Sequence, residues 1–223
     1  MSFIAAIVYF FIFTILLRHP YVLVALVLLY VLRDRLPNPA AFIRRQKDFS
    51  RLGRAVRINP YDSTARRDLG MVLLDKNRPK EALDNFMAAL EKEPDSAEIN
   101  HFVGLSSLRS GDPARAAGYF KKAIEIEPRL RYGESHLYLG ESLLSLGKPE
   151  EAMATLKSFL DINNTSIEGL YLYAKALQSL GRSEEAKKAV EEGMRYHKGN
   201  PGFRRRRDWR SYVKLKALRS KIS

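Results

Sequence analysis

The sequence predicts an all-α solenoid of paired helices, and three observations predict it. Two stretches superimpose at an offset of 34 residues: RPKEALDNFMAALEKEP (78–94) and DPARAAGYFKKAIEIEP (112–128). Small and large residues recur in that register, so that Leu69-Gly70, Ala82, Phe86, Ala89 and Pro94 return as Val103-Gly104, Ala116, Phe120, Ala123 and Pro128. A third copy carries Leu139-Gly140, Ala152, Leu156 and Phe159, two residues late, and a fourth carries Tyr173-Ala174, Ala186, Val190 and Gly193. The punctuation recurs too: Asn77, Gly111, Gly147 and Gly181 are each followed two positions on by Pro79, Pro113, Pro149 and Ser183. Asn or Gly suits the left-handed residue that closes a helix, and Pro or Ser suits the start of the next. Each copy is therefore two helices of about 14 residues. One such pair cannot bury its apolar face, so the pairs must stack.

The pattern resembles the tetratricopeptide repeat family, W-x2-L-G-x2-Y…A-x3-F…P, over 63–200. The four copies run 63–96, 97–130, 133–166 and 167–200. The opening aromatic is replaced by Arg66, Asn100 and His136, and the Tyr by Leu73, Ser107 and Leu143. Phe86, Phe120 and Phe159 take core positions of the repeat. Upstream, 37–62 is a basic linker whose residues 40–58 read as the second helix of a half-repeat. Downstream, 201–223 reads as a basic capping helix with Trp209, Tyr212, Val213 and Leu218 against the solenoid, because a terminal repeat needs a polar outer face.

The net charge of +13 is unevenly spread. Residues 1–62 hold nine Lys/Arg against three Asp/Glu, residues 63–200 hold 20 against 21, and residues 201–223 hold nine against one. A nucleic-acid domain carries its basic charge across its folded face, whereas flanking charge suits anionic lipid. Nucleic acid is accordingly the less favoured partner.

Residues 1–36 form an expected apolar membrane anchor of two short helices. Stretches 3–17 and 21–32 are 15 and 12 residues long, parted by Arg18-His19-Pro20. At 1.5 Å per residue the first reaches only about 22 Å against roughly 30 Å of hydrocarbon. Three arrangements stay open: a helical hairpin turning at 18–20, one helix kinked at Pro20, and a hairpin packed on a partner. The Lys/Arg that follow (Arg33, Arg35, Arg44, Arg45, Lys47) place the repeats on the cytoplasmic side by the positive-inside rule, at a membrane taken to be a bacterial inner membrane.

The family resemblance implies a concave groove lined by the first helix of each pair and used to bind proteins or peptides. Helical spacing nominates Arg67 and Met71; His101, Leu105 and Arg109; Leu137 and Glu141; Tyr171 and Lys175. Arg204, Arg205, Arg206, Arg207 and Arg210 are nominated for contact with a membrane surface or polyanion. A carboxylate clamp, which one subset of the family carries, would need basic and amide side chains where this chain has Arg67, Met71, Phe102, Glu134 and Tyr138; only Arg67 keeps the charge. With no cysteine, thiol catalysis and cysteine-based metal sites are excluded. The four histidines lack ligand spacing, so neither a metal nor a cofactor is expected, and no nucleophile–base pair suggests an enzyme. The expected function is a membrane-anchored scaffold that recruits a protein or peptide to the cytoplasmic surface. Ribosome or nucleic-acid binding through the C-terminal helix and homo-oligomeric assembly are the alternatives.

Overall fold

The computed structural model describes residues 10, 14, 18, 19, 21, 22, 24, 27, 28 and 39–222. The chain divides into two compact units between Asp48 and Phe49. In the first, Arg18 is helical, His19 is not, and Tyr21 is helical again. The expected anchor over 1–36 otherwise lies mostly outside the described residues. The expected location is corrected: among the described residues no helix is long and apolar enough to cross a membrane. That removes the placement at a bacterial inner membrane with the repeats facing the cytoplasm. The physical reason is length, since a span needs about 20 apolar residues and the interruption at 18–20 leaves shorter stretches.

The described chain is helical. Helix α1 (Pro39–Ile58) is followed by α2 (Ser63–Asp75), α3 (Pro79–Leu90), α4 (Ala97–Arg109), α5 (Pro113–Ile126), a 3-10 turn (Leu130–Gly133), α6 (Glu134–Ser145), α7 (Pro149–Ile162), α8 (Ile167–Ser179), α9 (Ser183–Gly199), α10 (Gly202–Arg207) and α11 (Trp209–Ile222). Local chemistry explains the boundaries. Asp62, Ser96 and Ser166 accept a hydrogen bond from the third amide of α2, α4 and α8. Pro79, Pro113 and Pro149 open α3, α5 and α7, where a missing amide costs nothing. Asn77, Gly111, Gly147 and Gly181 adopt positive φ after each first helix. The following amides then donate back, Arg78 to Leu73 and Asp112 to Ser107, each at 2.9 Å, and so satisfy carbonyls the helix end leaves open.

Packing follows from paired small and large residues. Phe86 and Phe120 are fully buried, and a Cβ on Gly70 or Gly104 would stand 2.7 Å or 2.8 Å from their rings. In the third pair Gly140 meets Leu156; in the fourth, Ala174 and Val190 trade a methyl between the partners and are both buried. One core cluster runs from α2 to α8, with Phe49, Leu52 and Val56 of α1 packed on it. A second joins α8, α9 and α11.

Helix α11 packs on both α8 and α9 through buried Leu215, Leu218 and Ile222. Leu218 is as expected, whereas Trp209 and Val213 face solvent, 57% and 45% exposed. The buried residues fall at i, i+3 and i+7, one narrow stripe that the aromatic residues do not share. Tyr212 is half-buried and stacks on His197 with ring centroids 3.8 Å apart.

The two residues that delay the third copy are resolved as Arg131 and Tyr132, which with Gly133 form three consecutive left-handed residues, φ 49°, 57° and 81°. Side chains carry a cost of about 1–2 kcal/mol per residue in that region. Tyr132 is 80% exposed, so little packing is lost with its ring. Tyr132→Gly is expected to raise stability by about 1 kcal/mol, read as a higher urea midpoint at unchanged slope; a lower midpoint would show that the ring is needed.

Candidate functional site

The first helices α2, α4, α6 and α8 are neighbours in sequence order, and side chains at equivalent positions meet across them. Arg67 of α2 lies 3.5 Å from Glu98 of α4 and 3.0 Å from Asp68. The Asp68 hydrogen bond, opposed by burial and aided by both acids, holds its guanidinium above the ordinary arginine range. At the next step His101 of α4 shares a 2.9 Å hydrogen bond with Ser135 of α6, and its Nε2 points toward the Glu134 carboxylate 3.7 Å away. Arg131 donates to Glu134 at 2.6 Å and lies over the Phe102 ring, 5.5 Å from its centroid.

The face continues to α8. Tyr138 packs its ring against Phe120 and His101, with centroids 5.9 Å apart in each case. Burial, then the charges of Glu134 and Glu168, push its hydroxyl up to about 12, with Arg109 acting oppositely. Glu168 is half-buried, and its carboxyl is raised by burial first and by Glu141 second, against the lowering effect of Lys214. Lys214 of α11 sits over the Tyr171 ring, 5.7 Å from the centroid. The surface joining α2 to α8 is thus a band of alternating charge with tyrosines set into it.

Some of the nominated residues share this band and others do not. Arg67, Glu141 and Tyr171 are half-buried, and Met71, Arg109 and Lys175 are exposed. His101, Leu105 and Leu137 are buried, because neighbouring first helices close over α4 and the start of α6. Those three support the band from below and offer no side chain to a partner. Arg204, Arg205, Arg206, Arg207 and Arg210 all stand exposed on α10 and the start of α11. Of the clamp positions, Phe102 is buried and stacks on Phe86 with centroids 5.2 Å apart, and Glu134 is held by Arg131, so no clamp forms. Sequence spacing missed Arg131 and Lys214. The two-residue delay of the third copy is the signal that could have drawn attention to Arg131; Lys214 carries none.

A second concavity, of about 310 Å³, is lined by α5, α6 and α7, with His136 and Leu139 at its wall. Thr155 and Ser158, which also line it, spend their hydroxyls on carbonyls of their own helix. Among the described residues no three His, Asp or Glu side chains gather so as to hold a metal ion.

A ladder of helical hairpins whose first helices present a charged, tyrosine-bearing face defines a class of repeat proteins built for interaction. Residues 67–130 match the tetratricopeptide repeat family model, and residues 131–193 match that of the anaphase-promoting complex, cyclosome, subunit 3. The chain belongs to the tetratricopeptide repeat family, whose members bind protein or peptide partners. It is 27% identical over 153 residues to the DnaJ homolog subfamily C member 7 homolog of Schizosaccharomyces pombe, covering 62% of this chain and 32% of that protein. It is 32% identical over 95 residues to Protein STIP1 homolog of Dictyostelium discoideum, covering 41% and 16%. The chain thus spans about a third or less of the curated relatives it matches. Among solved structures it is similar to MamA (17% identical, TM-score 0.64, covering 74% of this chain and 97% of that one). It is also similar to YrrB, described as a TPR protein with an unusual peptide-binding site (18%, TM-score 0.58, 77% and 92%). These structural likenesses bear on the fold.

Proposed function

We propose that this protein is an interaction scaffold that holds a protein or peptide partner along the band formed by its first helices. The observation that carries the reading is the contact of side chains from successive first helices, Arg67 with Glu98 and His101 with Ser135. Such contacts make α2, α4 and α6 one continuous surface instead of three separate ones, and α8 packs beside α6. Along it stand Met71, Arg109 and Lys175, which are exposed, and Tyr171, which is half-buried against both core clusters. A rigid surface of this composition suits an extended or helical segment whose own side chains alternate in kind. Aromatic and arginine side chains also dominate binding energy where they are present.

The test replaces Arg67, Met71, Tyr171 and Lys175 together by Ala in the full chain, followed by affinity capture with quantitative mass spectrometry. All four side chains are exposed or half-buried, so circular dichroism should be unchanged. Partners retained by the wild type are expected to fall at least tenfold. Capture that survives at the wild-type level would remove this face from the account.

A further inference from the structure

We propose that the outward face of α10 and α11, where Trp209 stands among arginines, binds single-stranded nucleic acid. The site is separate from the band of first helices and does not depend on it.

Helix register sets this face. The amide of Asp208 donates to the Arg204 carbonyl and that of Tyr212 to the Asp208 carbonyl, each at 2.9 Å, so helical phase carries through from α10 into α11. Leu215, Leu218 and Ile222 turn inward to α8 and α9. Arg206, Trp209, Arg210, Val213 and Lys216 follow one another at steps of three, one, three and three residues, which places them on the opposite side. All five are exposed. The Trp209 ring is tilted against Tyr212 with centroids 5.9 Å apart, and Tyr212 in turn stacks on His197. The indole thus has support on one side while most of the residue stays open to solvent.

The charge on this face is not offset. The segment 201–223 holds nine Lys/Arg and one acid, Asp208. Asp208 lies seven residues before Leu215, on the inner side, where it is half-buried and 3.3 Å from Arg207. The helices against which α11 packs bring no surplus of acid: α8 has Glu168 and Lys175, and α9 has four Glu against four Lys/Arg. Lys214 is turned to Tyr171 of α8 and is not part of the face. The C-terminal charge therefore lies across a folded surface with an aromatic ring set into it, as a nucleic-acid surface requires.

The geometry also selects among polyanions. Helix α10 has no buried residue, and its four consecutive arginines, about 100° apart, point round most of a turn. A flexible phosphodiester chain can wrap such a rod, whereas a lipid surface meets one side of it. A lipid-facing helix also needs a continuous apolar stripe, and here Arg206, Arg210 and Lys216 interrupt Trp209 and Val213. Duplex stacking hides the faces of the bases, while a single strand leaves them free to lie on Trp209. Phe203, 70% exposed at the start of α10, offers a second ring.

Trp209 is the one tryptophan of the chain, so its fluorescence reports on this face. The experiment titrates an unstructured RNA of about 20 nucleotides into the full chain, reading Trp209 emission and, with labelled RNA, anisotropy. The expected result is quenching of Trp209 and an affinity that falls with salt at a log–log slope of about −3, as four arginine–phosphate contacts give. Trp209→Leu should weaken binding about tenfold with the slope kept, and Trp209→Phe should restore most of it. Arg204→Gln, Arg205→Gln, Arg206→Gln and Arg207→Gln combined should weaken it at least tenfold and flatten the slope. All five side chains are exposed, so retained helicity and urea midpoint separate these losses from misfolding. Equal affinity and quenching with the same RNA annealed to its complement, or with poly-glutamate, would overturn the single-strand assignment. Phosphatidylglycerol vesicles that shift Trp209 emission to the blue, at a salt concentration where RNA leaves it unchanged, would assign the face to lipid instead. An absence of binding at about 50 mM salt would overturn the proposal outright.

Discussion

Phe120→Ala is expected to destabilise the protein by about 3–5 kcal/mol, as measured by urea unfolding. The ring is fully buried. On one side it fills the space left by Gly104, whose absent Cβ would lie 2.8 Å away. On the other it meets the rings of His101 and Tyr138, with centroids at 5.7 Å and 5.9 Å. It therefore ties α5 to α4 within its own hairpin and to α6 of the next. A helical ladder holds together by nearest-neighbour interfaces, so the loss should be local in origin. Amide exchange in α4, α5 and α6 should accelerate more than in α9, which packs on the second core cluster. A loss below about 1 kcal/mol, or exchange that accelerates evenly along the chain, would mean that the hairpins are not coupled through this ring.

Acidification is expected to weaken the fold between pH 6.5 and 4 through His101, by about 3 kcal/mol in total. Burial, then the neighbouring Arg131 charge, lowers its pKa from 6.5 to about 4. Ser135, Glu134, Tyr138, Phe102 and Phe120 also surround the ring. In that interval the unfolded chain binds a proton that the folded chain refuses. Stability is thus fully present above pH 6.5 and is lost as the pH falls. His136 and His197 are lowered by burial and act in the same direction. Glu168, raised by burial, acts in the opposite one. The measurement is therefore the difference between wild type and His101→Gln at several pH values. The wild-type advantage at pH 7 should shrink by about 3 kcal/mol at pH 4; a difference independent of pH would show that His101 does not titrate as its burial requires.

The helices were legible because their signals are local. Prolines at 79, 113 and 149 and the cap residues Asp62, Ser96 and Ser166 act within one turn of the backbone they shape. The pairing of Gly70 with Phe86 and of Gly104 with Phe120 was legible for a similar reason. Both partners lie in one repeat, and the repeat shows the same size relation more than once. The expected membrane location was read from the apolar stretches 3–17 and 21–32 and the Lys/Arg that follow them, and among the described residues no helix is long and apolar enough to carry it.

The candidate site was legible only as a set of helical positions. Spacing put His101, Leu105 and Leu137 on the same helical face as Arg67, Met71, Glu141, Tyr171 and Lys175. Spacing within a helix says which residues share a face, and it says nothing of how closely the next hairpin approaches that face. Where α4 and α6 draw together, the face becomes interior, and His101 loses water and its charge. The same limit explains α11, where Leu215, Leu218 and Ile222 were chosen for burial by the shape of α8 and α9, and Lys214 was carried to Tyr171 as a consequence. Helix, turn and repeat were thus written within about 34 residues of chain. Exposure, protonation and the meeting of charges from different repeats were settled by contacts between hairpins, because each depends on the distance between groups that no short stretch of sequence contains.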